Sequence, residues 1–306
     1  MRTPLVSVVL ATYNRCDLLH RAINSVLNGT YENLELIIVD DASTDGTPGV
    51  VSQYRDPRIR YIRTPENGGV LRARNRGFDL AQGDYVTILD DDDVLLPEAL
   101  VSVVKEFERT ANEGVDVLWF DCRDAESGQK SGDMPFPGGI IRFEDYVCGR
   151  IQGDFWLVFS KRVLNGNRFH EELRAHESLL WLKIHKQFSA LHIPVVLCMK
   201  YRQHGGPRLS TVDVMLTQLH ETVLAFRLYI QEFGNDMRQA CPATFGFRLA
   251  YLGLHELMID DRRSGRRSIL RSLRYRFSFK YLALYVLSWF VGSRTVIAIY
   301  RRTEDS

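Results

Sequence analysis

The sequence has little that would anchor it, secrete it or staple it together. No apolar run reaches the roughly 20 residues needed to span a bilayer; "YLALYVLSWFVG" at 281–292 stops short, and Arg294 interrupts its continuation. No apolar signal core with a small-residue cleavage site opens the chain, because "LVSVVLA" at 5–11 already reads as a strand. That absence predicts a folded part that stays in the cytoplasm. The five cysteines, Cys16, Cys122, Cys148, Cys198 and Cys241, are odd in number and lack metal-ligand spacing, which predicts reduced thiols in a cytosolic setting. A net charge of +1 over 306 residues gives no footprint for nucleic acid. One local absence is different in kind: from Arg262 there is no acidic residue until Glu304.

What is present, over the first hundred residues, is alternation. "LVSVVLA", "LELIIVDD", "IRYIRT" and "YVTIL" are short β-rich apolar runs, the signal of buried strands. Between them, "DLLHRAINSVLN" places Leu18, Leu19, Ala22, Ile23, Val26 and Leu27 on one helical face. "TPGVVSQYR" and "VLRARNRGFDLA" supply two more helices. Strands separated by helices of this length predict right-handed crossovers and a doubly wound, mainly parallel α/β sheet with helices on both faces.

Three strand ends carry polar clusters: "TYN" at 12–14, "DDAS" at 40–43 and "DDDD" at 90–93. The carboxyl ends of such strands border the ligand crevice of an open α/β sheet. Asp41 can accept hydrogen bonds from a base edge, and Tyr13 offers an aromatic face. Gly68 and Gly69 allow a close backbone approach to phosphate, and Arg74 can pair with a diphosphate. Taken singly, a "DD" is ordinary turn or capping chemistry and a "GG" an ordinary turn. Four adjacent carboxylates behind a buried strand are harder to dismiss, because their mutual repulsion calls for a cation. Pro97 then introduces a helix, "PEALVSVVKEFERT". Asp91 and Asp93 keep a simpler reading as outward-pointing or helix-capping residues.

"VSVVLATYNRCDLLHRAINSVLNGTYENLELIIVDDASTDGT", "ENGGVLRARNRG" and "GDYVTILDDDDVLLPEAL", in that order, resemble the successive signatures of family 2 inverting glycosyltransferases with the GT-A fold. The resemblance covers about the first two thirds of the chain. It implies that Asp90, Asp91 and Asp92 form the D-x-D motif and that Asp92 ligates Mn²⁺ or Mg²⁺ on the donor diphosphate. It also implies that Asp90 contacts the donor ribose or reaches the metal through water, and that Ala11, Tyr13 and Asp41 line the base pocket while Arg74 approaches the donor. "RFHEELRAHESLLWLKI" at 168–184 resembles the family's acceptor-side F-D-E-x-L-x-x-x-E-D region with its acidic pair altered. Counting from Phe169 puts Glu177 at the family's Glu and Ser178 at its Asp; counting back from Trp181 puts Glu177 at the Asp. The implied base is Glu177, with His176 as its substitute. A simpler role for Glu177 is to favour the start of the helix "SLLWLKIHKQ". "YRQHGGPRLS" resembles the family's Y-R-x-H-x-x-S-x-S stretch and implies His204 as a ligand of the metal or diphosphate, although Pro207 replaces one hydroxyl residue. Trp156 suits either an acceptor wall or the core.

These readings predict a catalytic domain over 1–212, with a nucleotide-sugar half at about 1–100 and an acceptor half at about 101–212. A basic helical region follows over 213–306. The expected activity is metal-dependent inverting transfer from a nucleotide sugar, a UDP-sugar, to a saccharide or lipid-linked acceptor in surface-glycan synthesis. The expected place is the inner face of the cell membrane, with the basic, aromatic 262–302 segment lying on anionic lipid or packing on the catalytic domain or a second protomer in a homo-oligomer. Two other readings stand beside it. A sugar nucleotidyltransferase needs a glycine-rich phosphate loop that "LATYNRCDLL" does not contain. A noncatalytic sugar-nucleotide-binding or scaffold member is suggested by the altered pair at Glu177 and Ser178. A processive synthase is disfavoured by the lack of flanking spans and of a Q-x-x-R-W stretch.

Overall fold

The computed structural model describes residues 2–174, 176–201 and 216–304, with side chains to residue 301. The chain forms two compact units, Met1–Tyr146 with Arg150–His204, and Val147–Gly149 with Gly205–Ser306.

The first unit is built on β1 (Val6–Thr12), β2 (Leu34–Asp40), β3 (Ile59–Arg63), β4 (Tyr85–Ile88), β5 (Val94–Leu95), β6 (Val115–Asp124), β7 (Gly132–Asp133), β8 (Gly139–Ile141), β9 (Gln152–Gly153), β10 (Phe155–Ser160) and β11 (Ser189–Lys200). Its helices are α1 (Cys16–Leu27), α2 (Thr47–Ser52), α3 (Val70–Leu80), α4 (Ala99–Arg109), α5 (Phe143–Val147, whose last residue belongs to the second unit) and α6 (Ser178–Gln187). The main sheet runs β3-β2-β1-β4-β10-β6-β11-β5, with β8 on β11. β1 to β4 pair in parallel and β6 pairs in parallel with β11, whereas β10 lies antiparallel between β4 and β6.

Every residue of β1 is buried, as a strand covered on both faces requires. On one face Val6, Val8, Leu10, Leu36 and Ile38 meet Leu19, Ile23 and Val26 of α1 and Val103 and Phe107 of α4. Each such side chain contributes about 1.5–3 kcal/mol by burial. On the other face α3 lies so close to β1 that a Cβ on Gly77 would sit 2.2 Å from Val9 Cγ1. Only glycine fits there. Helices therefore cover both faces, and each expected strand and helix up to Ile88 is present. Helix α4 begins at Ala99, two residues after Pro97.

The second unit holds α7 (Leu219–Ala240), α8 (Pro242–Met258), α9 (Arg262–Ser272), α10 (Phe279–Leu287) and α11 (Ser293–Glu304). Leu257, Met258, Ile269, Val296 and Tyr300 form its small core. Arg227 of α7 reaches Glu256 Oε1 at 2.8 Å and Asp261 Oδ2 at 2.7 Å. Asp261 in turn caps α9 by accepting from the Ser264 N–H. No helix among the described residues is long and apolar enough to cross a membrane.

The cysteines correct the expectation of five thiols. Cys148 and Cys241 form a disulfide, with Cα atoms 5.9 Å apart and 93 residues between them in sequence. Cys16, Cys122 and Cys198 are free. Sequence spacing could not reveal a pair that exists only because the short Val147–Gly149 segment packs within the helical unit. There the Tyr229 hydroxyl also donates to the Val147 carbonyl at 3.2 Å. The thiol argument for a reducing compartment falls with it.

Candidate active site

The site is assembled where strands end. In the β1/β2 register Thr12 pairs with Asp40, so Tyr13 and Asp41 leave the sheet side by side. Ala11 is buried in β1 and Tyr13 is exposed. Asp41 is buried, and its carboxylate accepts from the N–H groups of Gly68 at 2.9 Å and Gly69 at 2.7 Å. The "DD" and the "GG" are thus one device, in which the second strand end holds the glycine loop before α3. Gly69 sits at φ +89°, a conformation that disfavours any side chain. The expected hydrogen bonding of Asp41 to a base edge therefore competes with bonds it already makes.

The four aspartates have four different environments. Asp90 accepts from Arg74 Nη2 at 2.6 Å and pairs with Lys200 Nζ at 3.2 Å. Burial opposes its charge, but Lys200 and Arg74 outweigh burial and hold its carboxyl below the usual range. Asp91 accepts from the Thr12 hydroxyl at 2.8 Å, and burial pushes its carboxyl up to about 7. Asp92 has Arg15 at 3.5 Å, and its main-chain carbonyl accepts from Arg21 Nη2 at 2.7 Å. Asp93 is buried against Lys200 Nζ, and burial raises its carboxyl. Asp91 and Asp93 therefore neither point outward nor cap α4.

Lys200, the last residue of β11, lines the candidate site against Asp90 and Asp93 and was missed by sequence reasoning. Burial penalises its ammonium, but Asp90 and then Asp93 outweigh the penalty and raise its pKa well above the ordinary lysine value. The only available hint was its place before Tyr201, at the head of the "YRQH" stretch.

Arg74 is the second internal cation. Its side chain is 7% exposed, and its Nη1 lies 2.5 Å from Glu177 Oε1 while Nη2 holds Asp90. Burial works against its charge, but Glu177 and Asp90 more than compensate. It thus spans the two carboxylates that the sequence placed on the donor and acceptor sides, rather than presenting a free guanidinium to a diphosphate. Glu177 occupies the cap position of α6 without a side-chain capping bond, so its carboxylate serves the site and not its own helix. His176 precedes it at φ 75°, a left-handed conformation that costs a non-glycine residue roughly 1–3 kcal/mol. Asn14, next to Tyr13, and Ala42, next to Asp41, are strained in the same sense at φ 52° and 62°. Three of the four described non-glycine residues with positive φ thus adjoin candidate site residues.

Arg74, Asp90, Asp93, Glu177 and Lys200 share a cavity of about 310 Å³ with Trp119, Phe155, Trp156 and Trp181. Trp156 belongs both to the core and to this wall. The lining combines charged side chains with aromatic rings, a combination suited to a sugar, whose hydroxyls and ring faces need both. Carboxylate oxygens of Asp90, Asp92 and Asp93 lie within 4.8 Å of one another, and an all-oxygen donor set of that size fits a hard divalent ion. His204 lies outside the described residues.

The profile of glycosyl transferase family 2 matches residues 7–165, more than half of the chain. The chain belongs to this family. It is 36% identical over 193 residues to the GalNAc(5)-diNAcBac-PP-undecaprenol beta-1,3-glucosyltransferase of Campylobacter jejuni, covering 61% of each chain. It is 31% identical over 192 residues to the succinoglycan biosynthesis protein ExoO of Rhizobium meliloti, covering 59% of this chain and 55% of that one. The chain thus matches little more than half the length of these relatives. Among solved structures, S. aureus TarS 1–349 in complex with UDP superposes with a TM-score of 0.68 at 18% identity over 97% of this chain and 91% of that one. The mannosyltransferase PcManGT of Pyrobaculum calidifontis, in complex with GDP-Man and Mn2+, gives 0.55 at 20% identity, over 100% of this chain and 89% of that one. The GT-A-like fold is therefore as the sequence motifs implied.

Proposed function

We propose that this family 2 glycosyltransferase moves a sugar from a UDP-sugar to a hydroxyl of a saccharide or lipid-linked acceptor, with inversion, at a membrane surface. The observation that carries the reading is the cavity that Glu177 shares with Asp90 and Asp93, with Arg74 bridging Glu177 and Asp90. A bound Mn²⁺ or Mg²⁺ would supply Lewis-acid neutralisation of the departing diphosphate. Asp92 is the proposed ligand on the D-x-D resemblance, its carboxylate lying within 4.8 Å of those of Asp90 and Asp93 and 3.5 Å from Arg15. Glu177 takes the proton of the acceptor hydroxyl as its oxygen bonds to the anomeric carbon and the bond to the diphosphate breaks on the opposite face. Arg74 holds Glu177 and Asp90 at a fixed separation, which fixes attack and departure relative to each other. Trp156 and Trp181 supply ring faces for the sugars.

The UDP in the TarS complex and the undecaprenol-linked substrate in the name of the C. jejuni relative support the choice of donor and acceptor class. The test is a titration of UDP-, GDP- and dTDP-sugars with Mn²⁺ and with chelator, followed by assignment of the product anomer by NMR. The expected result is metal-dependent binding of a UDP-sugar and an inverted product. A noncatalytic role has one observation in its favour, the engagement of Glu177 by Arg74. Metal-dependent hydrolysis of the bound donor rejects it.

A further inference from the structure

We infer that the second unit carries a docking face for an anionic phospholipid bilayer, made of the α10 helix, its flanking aromatics and the basic helix α9. The inference deepens the membrane-surface part of the reading above and is independent of donor and metal.

The helix α10, "FKYLALYVL", is almost wholly apolar, yet none of its nine residues is buried. Its surroundings continue the pattern. Phe279 and Phe290 are 80% and 82% exposed, and Phe277, Val286, Leu287 and Trp289 are exposed as well. Isolated exposed apolar residues are normal, but a helix and two flanking turns with this much aromatic surface mark a contact site. The helix is too short to cross a bilayer, so its fit is to the headgroup and acyl boundary, where Trp and Phe are most at home.

Charge supplies the second, independent argument. Arg262, Arg263, Arg267, Arg271, Arg274 and Lys280 are exposed, and no acid interrupts the chain from Arg262 to Thr303. The cationic and apolar parts are joined in the folded unit. Arg266 of α9 donates to the Ser288 carbonyl at 2.6 Å, and its guanidinium lies 3.9 Å from the Trp289 ring centroid. That contact clamps the turn after α10 against the basic helix.

The same charge decides between occupants. A second copy docking through this face by two-fold symmetry would set Arg263, Arg267, Arg271 and Arg274 against their own copies, while the nearby Asp260 is already paired with Arg262. An anionic headgroup layer answers all of them and accepts the aromatic side chains beneath.

The test uses the full chain with neutral phosphatidylcholine vesicles and with vesicles containing 30% phosphatidylglycerol. Cosedimentation with the anionic vesicles at least ten times tighter than with the neutral ones is expected, and it should weaken as salt rises. Trp289 is the one exposed tryptophan of four, so its emission should shift to the blue on anionic vesicles and the shift should vanish in Trp289→Phe. Phe279→Ser with Phe290→Ser should cut binding tenfold or more, and Arg267→Glu with Arg271→Glu should do the same. Donor binding in all variants should match the parent, which separates loss of docking from loss of folding and from any failure of the donor reading. Equal binding to both vesicle types, or no binding together with a dimer that the Phe279→Ser, Phe290→Ser pair dissociates, would overturn the inference.

Discussion

Two internal cations organise the site, and each makes its own prediction. Arg74 bridges Asp90 and Glu177, so Glu177→Gln retains a hydrogen-bonding side chain beside Arg74 and removes only the proposed base. Donor affinity should stay within about twofold while turnover falls by about 10²–10⁴, measured by calorimetry and product formation; unchanged turnover moves the base elsewhere. Lys200 balances Asp90 and Asp93. Lys200→Met keeps the length of the side chain and leaves the buried Asp93 without its cation, while Asp90 keeps Arg74, a change that costs about 3–5 kcal/mol. Thermal unfolding in chelator should therefore occur at a lower temperature than in the parent, and Mn²⁺ should stabilise the variant more than the parent. Equal responses to Mn²⁺ would mean that Lys200 does not share the ion's place.

At the scale of the element, α6 links stability to pH. His185 on its buried face donates from Nδ1 to the Trp181 carbonyl at 2.6 Å, and burial lowers its pKa from 6.5 to about 4. The folded state thus resists a proton that the unfolded state accepts. Stability is full above about pH 6.5, declines as pH falls, and levels off near pH 4, a loss of roughly 3 kcal/mol from this group. Denaturant unfolding across that range should show the decline, and a His185→Gln variant should lack this component. The bounds of α6 were legible in "SLLWLKIHKQ", as were β1 to β4 and their helices, because periodicity and β-branched runs are local signals. The partners were not. Nothing local says that Lys200 meets Asp93, 107 residues away in sequence, or that Thr12 meets Asp91. The register shifts within the β6/β11 pair make even the strand's alternation a poor guide there.

At the scale of the whole molecule, the cysteines give a count. The native chain should yield one accessible thiol, Cys16, since Cys122 and Cys198 are buried, and its reaction is slowed because its hydrogen bond to Asp45 raises its pKa. Denaturation without reductant should raise the count to three, and reduction to five. Five thiols without reductant would show Cys148 and Cys241 to be unjoined. Closing a loop of 93 residues stabilises by about 4–5 kcal/mol in the chain-entropy account, so reductant should also lower the unfolding midpoint. The order of the sheet has a further consequence. Since β10 runs against its neighbours, it begins beside the aspartates where β4 ends, and it brings Phe155 and Trp156 to the cavity from a connection that starts beyond Asp124. The aspartates and the Phe155–Trp156 pair therefore come from separate stretches of chain. Descendants of this fold can lengthen, shorten or rewrite the connection before Phe155 without disturbing the aspartates, so one chemistry can be inherited intact while the choice of partner molecule diverges.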